Sequence, residues 1–94
     1  MKKVIHPGKI LKKDYIDKYK LTIYHVAKNS FLSQTRLSEI VNGKRSITVE
    51  TALKLGKFFG IKPETFLELQ MEFDIENANK EYQKDLVLIK KLEK

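Results

Sequence analysis

Polar side chains that can both donate and accept hydrogen bonds are concentrated between Gln34 and Ser38. Glutamine can form a bidentate pair with adenine, serine and threonine can bond to several base edges, and the threonine methyl can contact the thymine methyl. Arg36 lies among them and can reach a guanine or a phosphate. We therefore interpret Gln34, Thr35, Arg36 and Ser38 as candidate base-reading residues.

Side chains suited to sugar and phosphate contacts flank this stretch on both sides, and such contacts set the register of a protein on a duplex. The candidates are Thr22, Tyr24, Asn42, Lys44, Arg45 and Ser46. Glu39 argues against the interpretation, because a carboxylate repels phosphate unless it accepts from a cytosine amino group.

The charge of the chain is unevenly distributed. The 94 residues carry a net charge of +7, with +10 in residues 1–62 and −3 in residues 63–94. The basic part can attract a polyanion such as double-stranded DNA through counterion release. A lysine-rich solvated surface is the alternative explanation for charge alone.

Composition narrows the classes of function. A chain of this length predicts one small domain. Cysteine is absent and the only histidines are His6 and His25, so we expect no disulfide, no metal site and no cofactor. His6 is interpreted as a residue that either caps the first helix or packs beside Pro7, rather than as a ligand-binding residue. We find no nucleophile–base pair or carboxylate dyad and expect no enzyme activity. No apolar run approaches the length of a membrane span, so a cytoplasmic protein is expected.

The elements that must position these residues are helices throughout, because no alternating pattern or hairpin turn indicates a strand. Pro7 begins a first helix that runs to about Lys20. Thr22, Ser33 and Thr48 are predicted N-caps, and Gly43 and Gly60 are predicted helix stops. The predicted helices are then 23–29, 34–42, 49–59 and 63–78, followed by a further helical stretch to about residue 92.

Two of these helices, separated by a short turn, satisfy the description of a helix-turn-helix. In the second, Leu37, Ile40 and Val41 face inward, which leaves the candidate base-reading residues outward. Phe31 occupies the turn, where a left-handed conformation would cost a non-glycine residue about 1–2 kcal/mol. Because asparagine tolerates that conformation better, we expect Asn29 to take over the helix stop and Phe31 to turn inward.

The stretch LTIYHVAKNSFLSQTRLSEIVNGKRSIT, with TALKLGKFFGI and KPETFL behind it, resembles the lambda-repressor/Cro-like helix-turn-helix family. Adding HPGKIL and FLELQMEFDIENA, the chain is similar to the HigA-type, or VapI-like, antitoxin branch over roughly residues 5–79. Phe31, where many relatives have glycine, and Ile23, where repressors often carry a polar residue, depart from the pattern. The resemblance implies an all-α, five-helix lambda-repressor-like domain with an extended C-terminal helical segment, and it supports base reading by Gln34, Thr35 and Ser38.

The resemblance also implies a function in two parts. A homodimer would repress its own operon by binding the operator, and the protein would neutralise a RelE/HigB-like toxin that cleaves mRNA. There are two alternatives. The protein is a stand-alone regulator without a toxin, or it is an interaction module that has lost DNA binding. We divide the chain into a helix-turn-helix domain, 1–79, and a charged C-terminal helical tail, 80–94. The acidic C-terminal portion, residues 63–94 with Leu69, Phe73 and Ile75, would either extend a dimer interface or dock the toxin.

Overall fold

The computed structural model describes residues 5–93, and over that range the chain is all-helical with no strand, as the sequence predicted. The helices are α1 (Pro7–Leu11), α2 (Ile23–Asn29), α3 (Gln34–Val41), α4 (Val49–Phe59), α5 (Pro63–Glu81) and α6 (Gln83–Leu86), with a π-helical continuation of α1 over Lys12–Asp17. None of these helices is both long enough and apolar enough to cross a membrane.

The first helix begins as predicted at Pro7 but widens after one turn. His6 caps it, since its Nδ1 accepts a hydrogen bond of 2.9 Å from the Gly8 N–H. The π-helical segment accounts for the burial of two residues five apart, Leu11 and Ile16, both 1 % exposed. In a regular α-helix, residues five apart do not share a face, whereas the i to i+5 pattern of a π-helix aligns them.

Each of four helical segments is followed by a residue in the left-handed conformation, which ends it. Gly43 (φ 78°) and Gly60 (φ 70°) are the two that the sequence predicted, and glycine adopts this region without strain. Lys20 (φ 58°) and Phe31 (φ 57°) occupy the same region with side chains. Beyond each stop, a backbone N–H returns to a carbonyl five residues earlier, as from Leu21 to Ile16 at 2.9 Å.

The core lies between α4, α5 and the helix-turn-helix. The inward residues predicted for α3 are buried, and Leu55 and Phe66 are fully enclosed beside them. The members of this cluster are Leu11, Ile16, Val26, Ala27, Leu32, Leu37, Ile40, Val41, Ile47, Ala52, Leu55 and Phe66. Gly8 lets α1 approach α3 closely, because a Cβ there would overlap the Ile40 carbonyl oxygen.

The C-terminal part differs from the prediction in two respects. Helix α5 continues to Glu81, three residues beyond the predicted end, and therefore crosses the proposed boundary at residue 79 without a break. The further helical stretch is present but ends at Leu86, not at about residue 92 as predicted, since only a turn at 87–88 and irregular chain at 89–93 follow α6. Residues 77–93 are all exposed, so no packing supports a short helix, and short helices are marginal without packing.

Candidate nucleic-acid interface

Helices α2 and α3 form the predicted helix-turn-helix, and both begin at the predicted caps. Thr22 Oγ1 accepts from the His25 N–H at 3.0 Å, and Ser33 Oγ accepts from the Arg36 N–H at 3.0 Å. Each cap satisfies a backbone donor that the first helical turn leaves unpaired. Leu37 and Ile40 are completely buried beneath α3, so the orientation of α3 is fixed by the core.

The outward face of α3 carries the predicted base-reading residues. Gln34 and Thr35 are exposed and Ser38 is partly exposed. Within residues 5–93, these three side chains make no hydrogen bond to other protein groups. Their donors and acceptors are therefore available to a ligand, on a helix that does not need to move to present them.

Arg36 has a partner within the chain. Its Nη1 lies 3.4 Å from Glu50 Oε2 on α4, and the same carboxylate oxygen receives Lys54 Nζ at 2.7 Å. The hydrogen bond and charge of Lys54, together with the charge of Arg36, lower the pKa of Glu50. The Arg36 guanidinium is thus drawn toward α4, so a base contact by Arg36 remains a prediction that requires this ion pair to open.

Glu39 pairs with one of the predicted phosphate-contacting residues. Its Oε1 accepts from Arg45 Nε at 3.0 Å, which joins the last turn of α3 to the loop after it. Both side chains are partly exposed, so solvent screens the pair and its contribution to stability is small. The pair nevertheless places a positive group over the one carboxylate of α3 and so reduces its repulsion of phosphate.

The loop after α3 carries Lys44, Arg45 and Ser46, all exposed, and is fixed at its far end. The Ile47 N–H donates to Gln70 Oε1 at 2.8 Å, and Gln70 Nε2 donates to Asp74 Oδ1 at 2.9 Å. Gln70 is only 5 % exposed, so this hydrogen bond is shielded from water. A buried amide on α5 therefore holds the loop of phosphate-contacting candidates against the core.

The other predicted phosphate contacts lie at the edges of the same surface. Thr22 and Tyr24 are exposed at the start of α2, and Asn42 is exposed at the end of α3. The Tyr24 ring lies 5.8 Å from Lys28 Nζ, a distance at which a cation–π contact forms. Every candidate site residue is thus accessible or partly accessible, and contact with DNA remains a prediction for each of them.

The turn between α2 and α3 contradicts both expectations for Phe31. Asn29 remains the last residue of α2, with its Nδ2 donating to the His25 carbonyl at 2.8 Å, and Phe31 itself adopts the left-handed conformation. Its side chain is 84 % exposed, while Ser30 is the buried residue. The Leu32 N–H bonds to the Ala27 carbonyl at 2.9 Å, and this bond, with the burial of Leu32, fixes the turn with Phe31 outward.

Sequence reasoning missed three residues that organise this surface. Glu50 and Lys54 stand four residues apart on α4, a spacing that signals a helical ion pair. That pair could have been predicted, but not the bond of 3.1 Å from Lys54 Nζ to the Phe31 carbonyl. Gln70 carries no local signal, because its partner Ile47 lies 23 residues away.

Comparison with known proteins agrees with this architecture. Residues 12–66, more than half of the chain, match a helix-turn-helix family model, HTH_3. The chain is 35 % identical over 85 residues to virulence-associated protein I of Dichelobacter nodosus, covering 90 % of this chain and 79 % of that protein. It is 34 % identical to an HTH-type transcriptional regulator of Haemophilus influenzae, covering 88 % and 79 % respectively.

Solved structures give the same result. An addiction module antidote protein of the HigA family from Coxiella burnetii is 38 % identical, with a TM-score of 0.88, and the match covers 98 % of this chain and 100 % of that one. The Pseudomonas aeruginosa antitoxin HigA, solved with the higBA promoter, is 25 % identical with a TM-score of 0.90, and the match covers 97 % and 100 %.

These similarities extend over the whole described fold, including the two helices and the turn that present the candidate surface. The family is one of DNA-binding regulators and not of enzymes, in agreement with the expectation from composition. The chain therefore belongs to the lambda-repressor/Cro-like helix-turn-helix family, in its HigA and virulence-associated protein I branch.

Proposed function

We propose that this protein is a cytoplasmic DNA-binding antitoxin that represses its own operon. One observation carries the DNA-binding part: Gln34, Thr35 and Ser38 project outward from α3, which buried residues anchor to the core, and their side chains have no hydrogen-bond partner within residues 5–93. The P. aeruginosa relative solved with a promoter supports the same assignment. In this proposal α3 lies in the major groove, and Thr22, Tyr24, Asn42, Lys44, Arg45 and Ser46 contact the backbone.

Affinity for the promoter of the protein's own operon, compared with affinity for scrambled duplex, distinguishes base-reading residues from phosphate-contacting residues. We expect Gln34→Ala and Thr35→Ala to bring affinity for the promoter closer to affinity for scrambled duplex, each by about 1–3 kcal/mol of lost discrimination. Lys44→Ala should weaken both duplexes alike and reduce the salt dependence. Equal binding of promoter and scrambled DNA by the unmodified protein would contradict sequence-specific repression.

We also propose that the repressor is a homodimer joined through its C-terminal end. Leu86, Val87, Leu88 and Ile89 are consecutive, and each is between 45 % and 77 % exposed. A contiguous apolar patch of this kind marks an interaction surface. In a two-fold symmetric dimer the patch of each subunit would cover the same patch of the other. Half-sites about 34–36 Å apart are then expected, one helical turn of DNA.

The molecular mass of the protein in solution tests whether it is a dimer. Val87→Glu and Leu88→Glu should yield monomers that footprint one half-site, whereas Lys84→Glu, a surface charge change nearby, should leave the dimer intact. A dimer that persists in both apolar variants would place the contact elsewhere.

The toxin partner completes the proposal. Neutralisation of a RelE/HigB-like mRNA-cleaving toxin is supported by the antitoxin and antidote descriptions of the structural relatives. The test is growth of a host that expresses the small reading frame adjoining this one, alone and together with this protein. Arrest that is relieved by co-expression supports the antitoxin role. Absence of arrest, with the promoter still bound, would leave a stand-alone repressor.

A further inference from the structure

A hollow on the surface between the helix-turn-helix turn and α4 is not used by the proposed function. It has a volume of about 500 Å³ and is lined by Ser30, Phe31, Leu53, Lys54, Lys57 and Phe58, with Asn29 at its edge. We refer to it as the Phe31 hollow. Clefts of about 300–1,000 Å³ are the usual size for bound ligands, and this one lies open at the surface.

The conformation of Phe31 is unfavourable in two ways that packing does not explain. Its backbone is left-handed, which disfavours any residue with a Cβ, and its ring is 84 % exposed to water. Lys54 holds the turn in this state, since its Nζ donates to the Phe31 carbonyl at 3.1 Å. Strained residues held in place by their surroundings, and exposed aromatic residues, are both typical of functional surfaces.

Ser30 forms the buried floor of the hollow. The residue is 5 % exposed, and its Oγ is out of contact with solvent and without a hydrogen-bond partner within the described chain. A buried hydroxyl is normally satisfied, because an unpaired polar group in the interior is destabilising. Ser30 is therefore a further unfavourable feature of this turn, beside the strained backbone of Phe31.

The charge of the lining identifies the kind of ligand. Two lysines and no acidic residue line the hollow. Lys54 is compensated by Glu50 at 2.7 Å, so Lys57 supplies the uncompensated positive charge. A duplex backbone would need several uncompensated cations rather than one, and the apolar rings and Leu53 would stay uncovered.

We propose that the Phe31 hollow is the docking site of an acidic segment of a partner protein, with one apolar anchor residue inserted beside Phe31 and Leu53. A carboxylate of the segment pairs with Lys57. The site goes beyond the proposed DNA and toxin functions, because it lies on the α4 side of the turn and contains none of the DNA-contacting candidates.

The probe is a fluorescein-labelled synthetic peptide of twelve residues in which glutamates surround a central Leu-Phe pair, titrated with the full-length protein. We expect saturable binding that salt weakens, and no binding of a peptide in which lysines replace the glutamates. Phe31→Gly and Lys57→Glu should each lower affinity at least tenfold. Lys13→Glu, the same charge change at an exposed position outside the hollow, should change it less than twofold.

Ser30→Ala is a control for a structural role of the turn. The substitution removes an unsatisfied buried hydroxyl that the peptide does not reach, so the midpoint of thermal unfolding should be unchanged or higher while peptide affinity changes less than twofold. Phe31→Asn, which tolerates the left-handed conformation, provides a second variant without the ring. Failure of the unmodified protein to bind the peptide, or equal binding by all variants, would overturn the proposal.

A DNA titration provides the remaining control. Phe31→Gly should bind the promoter within twofold of the unmodified protein, since the proposal places no DNA at the hollow. A loss as large as that of Lys44→Ala would show that the hollow faces DNA and would overturn peptide docking. An unchanged preference for the promoter in Gln34→Ala and Thr35→Ala would contradict only the proposed function, so the two failures are distinguishable.

Discussion

Glu39 and Arg45 are joined by a hydrogen bond of 3.0 Å between Glu39 Oε1 and Arg45 Nε, which connects the end of α3 to the loop after it. The contact answers the objection that an acidic residue stands on the surface proposed to bind phosphate. It also means that the positive charge of Arg45 is partly cancelled before any DNA arrives.

Glu39→Gln should therefore strengthen binding to duplex DNA of any sequence. The amide retains an acceptor for Arg45 but removes the cancelling charge, so Arg45 gains the effect of a full phosphate contact. The slope of log affinity against log salt should steepen by about 0.9. Fluorescence anisotropy at several salt concentrations measures this, with Glu68→Gln on α5 as a matched charge control. A fall in affinity confined to the promoter would show instead that Glu39 reads a base.

Phe31→Gly should stabilise the fold. The left-handed conformation costs a residue with a Cβ about 1–2 kcal/mol, and the flexibility of glycine in the unfolded chain offsets part of the gain, so an increase of up to about 1 kcal/mol is expected. Phe31→Ala is the matched control, because it removes the exposed ring and keeps the strain. Urea unfolding measures both variants. A clear loss of stability in both would show that the ring packs against the domain.

Gln70→Leu should destabilise the protein. The substitution leaves the Ile47 N–H buried without its acceptor, which typically costs roughly 1–3 kcal/mol. The exposed Glu68→Gln on the same helix should change stability by less than about 0.5 kcal/mol. Hydrogen exchange at Ile47 should also accelerate, because the loop of phosphate-contacting candidates loses its anchor. Unchanged exchange would indicate that the loop is held by other contacts.

Stability should fall when pH drops below the ordinary histidine value of 6.5. Burial lowers the pKa of His6, against an opposing effect of Asp74 and with a smaller contribution from Lys9. The unfolded chain then binds a proton that the folded state resists, so the contribution is complete above pH 6.5 and is lost as pH falls through the lowered folded pKa.

Unfolding measured between pH 5 and 8 tests this linkage. The asparagine amide in His6→Asn can cap α1 without titrating. The free energy of unfolding of this variant should therefore change less between pH 7 and pH 5 than that of the unmodified protein. His25→Asn serves as the control. Identical slopes in the unmodified protein and His6→Asn would assign the pH dependence to carboxylates.

Most of the helical framework was predictable because its signals are local. The caps Thr22, Ser33 and Thr48 bond to backbone N–H groups three residues ahead, and Gly43 and Gly60 end the helices that precede them. The apolar spacing of Leu37, Ile40 and Val41 likewise determined which face of α3 points outward. These interactions depend only on residues within one or two helical turns, so the sequence alone determined the helix-turn-helix and its candidate reading face.

Tertiary structure decided the remaining features, because their partners are distant in sequence. Lys54 bonds to the Phe31 carbonyl and Gln70 to Ile47, each across 23 residues, and no local pattern specifies such pairs. The outward position of Phe31 depends on the burial of Ser30 and Leu32 by the assembled core. The early end of α6 likewise reflects the absence, within the described chain, of a surface on which Leu86 and Val87 could pack.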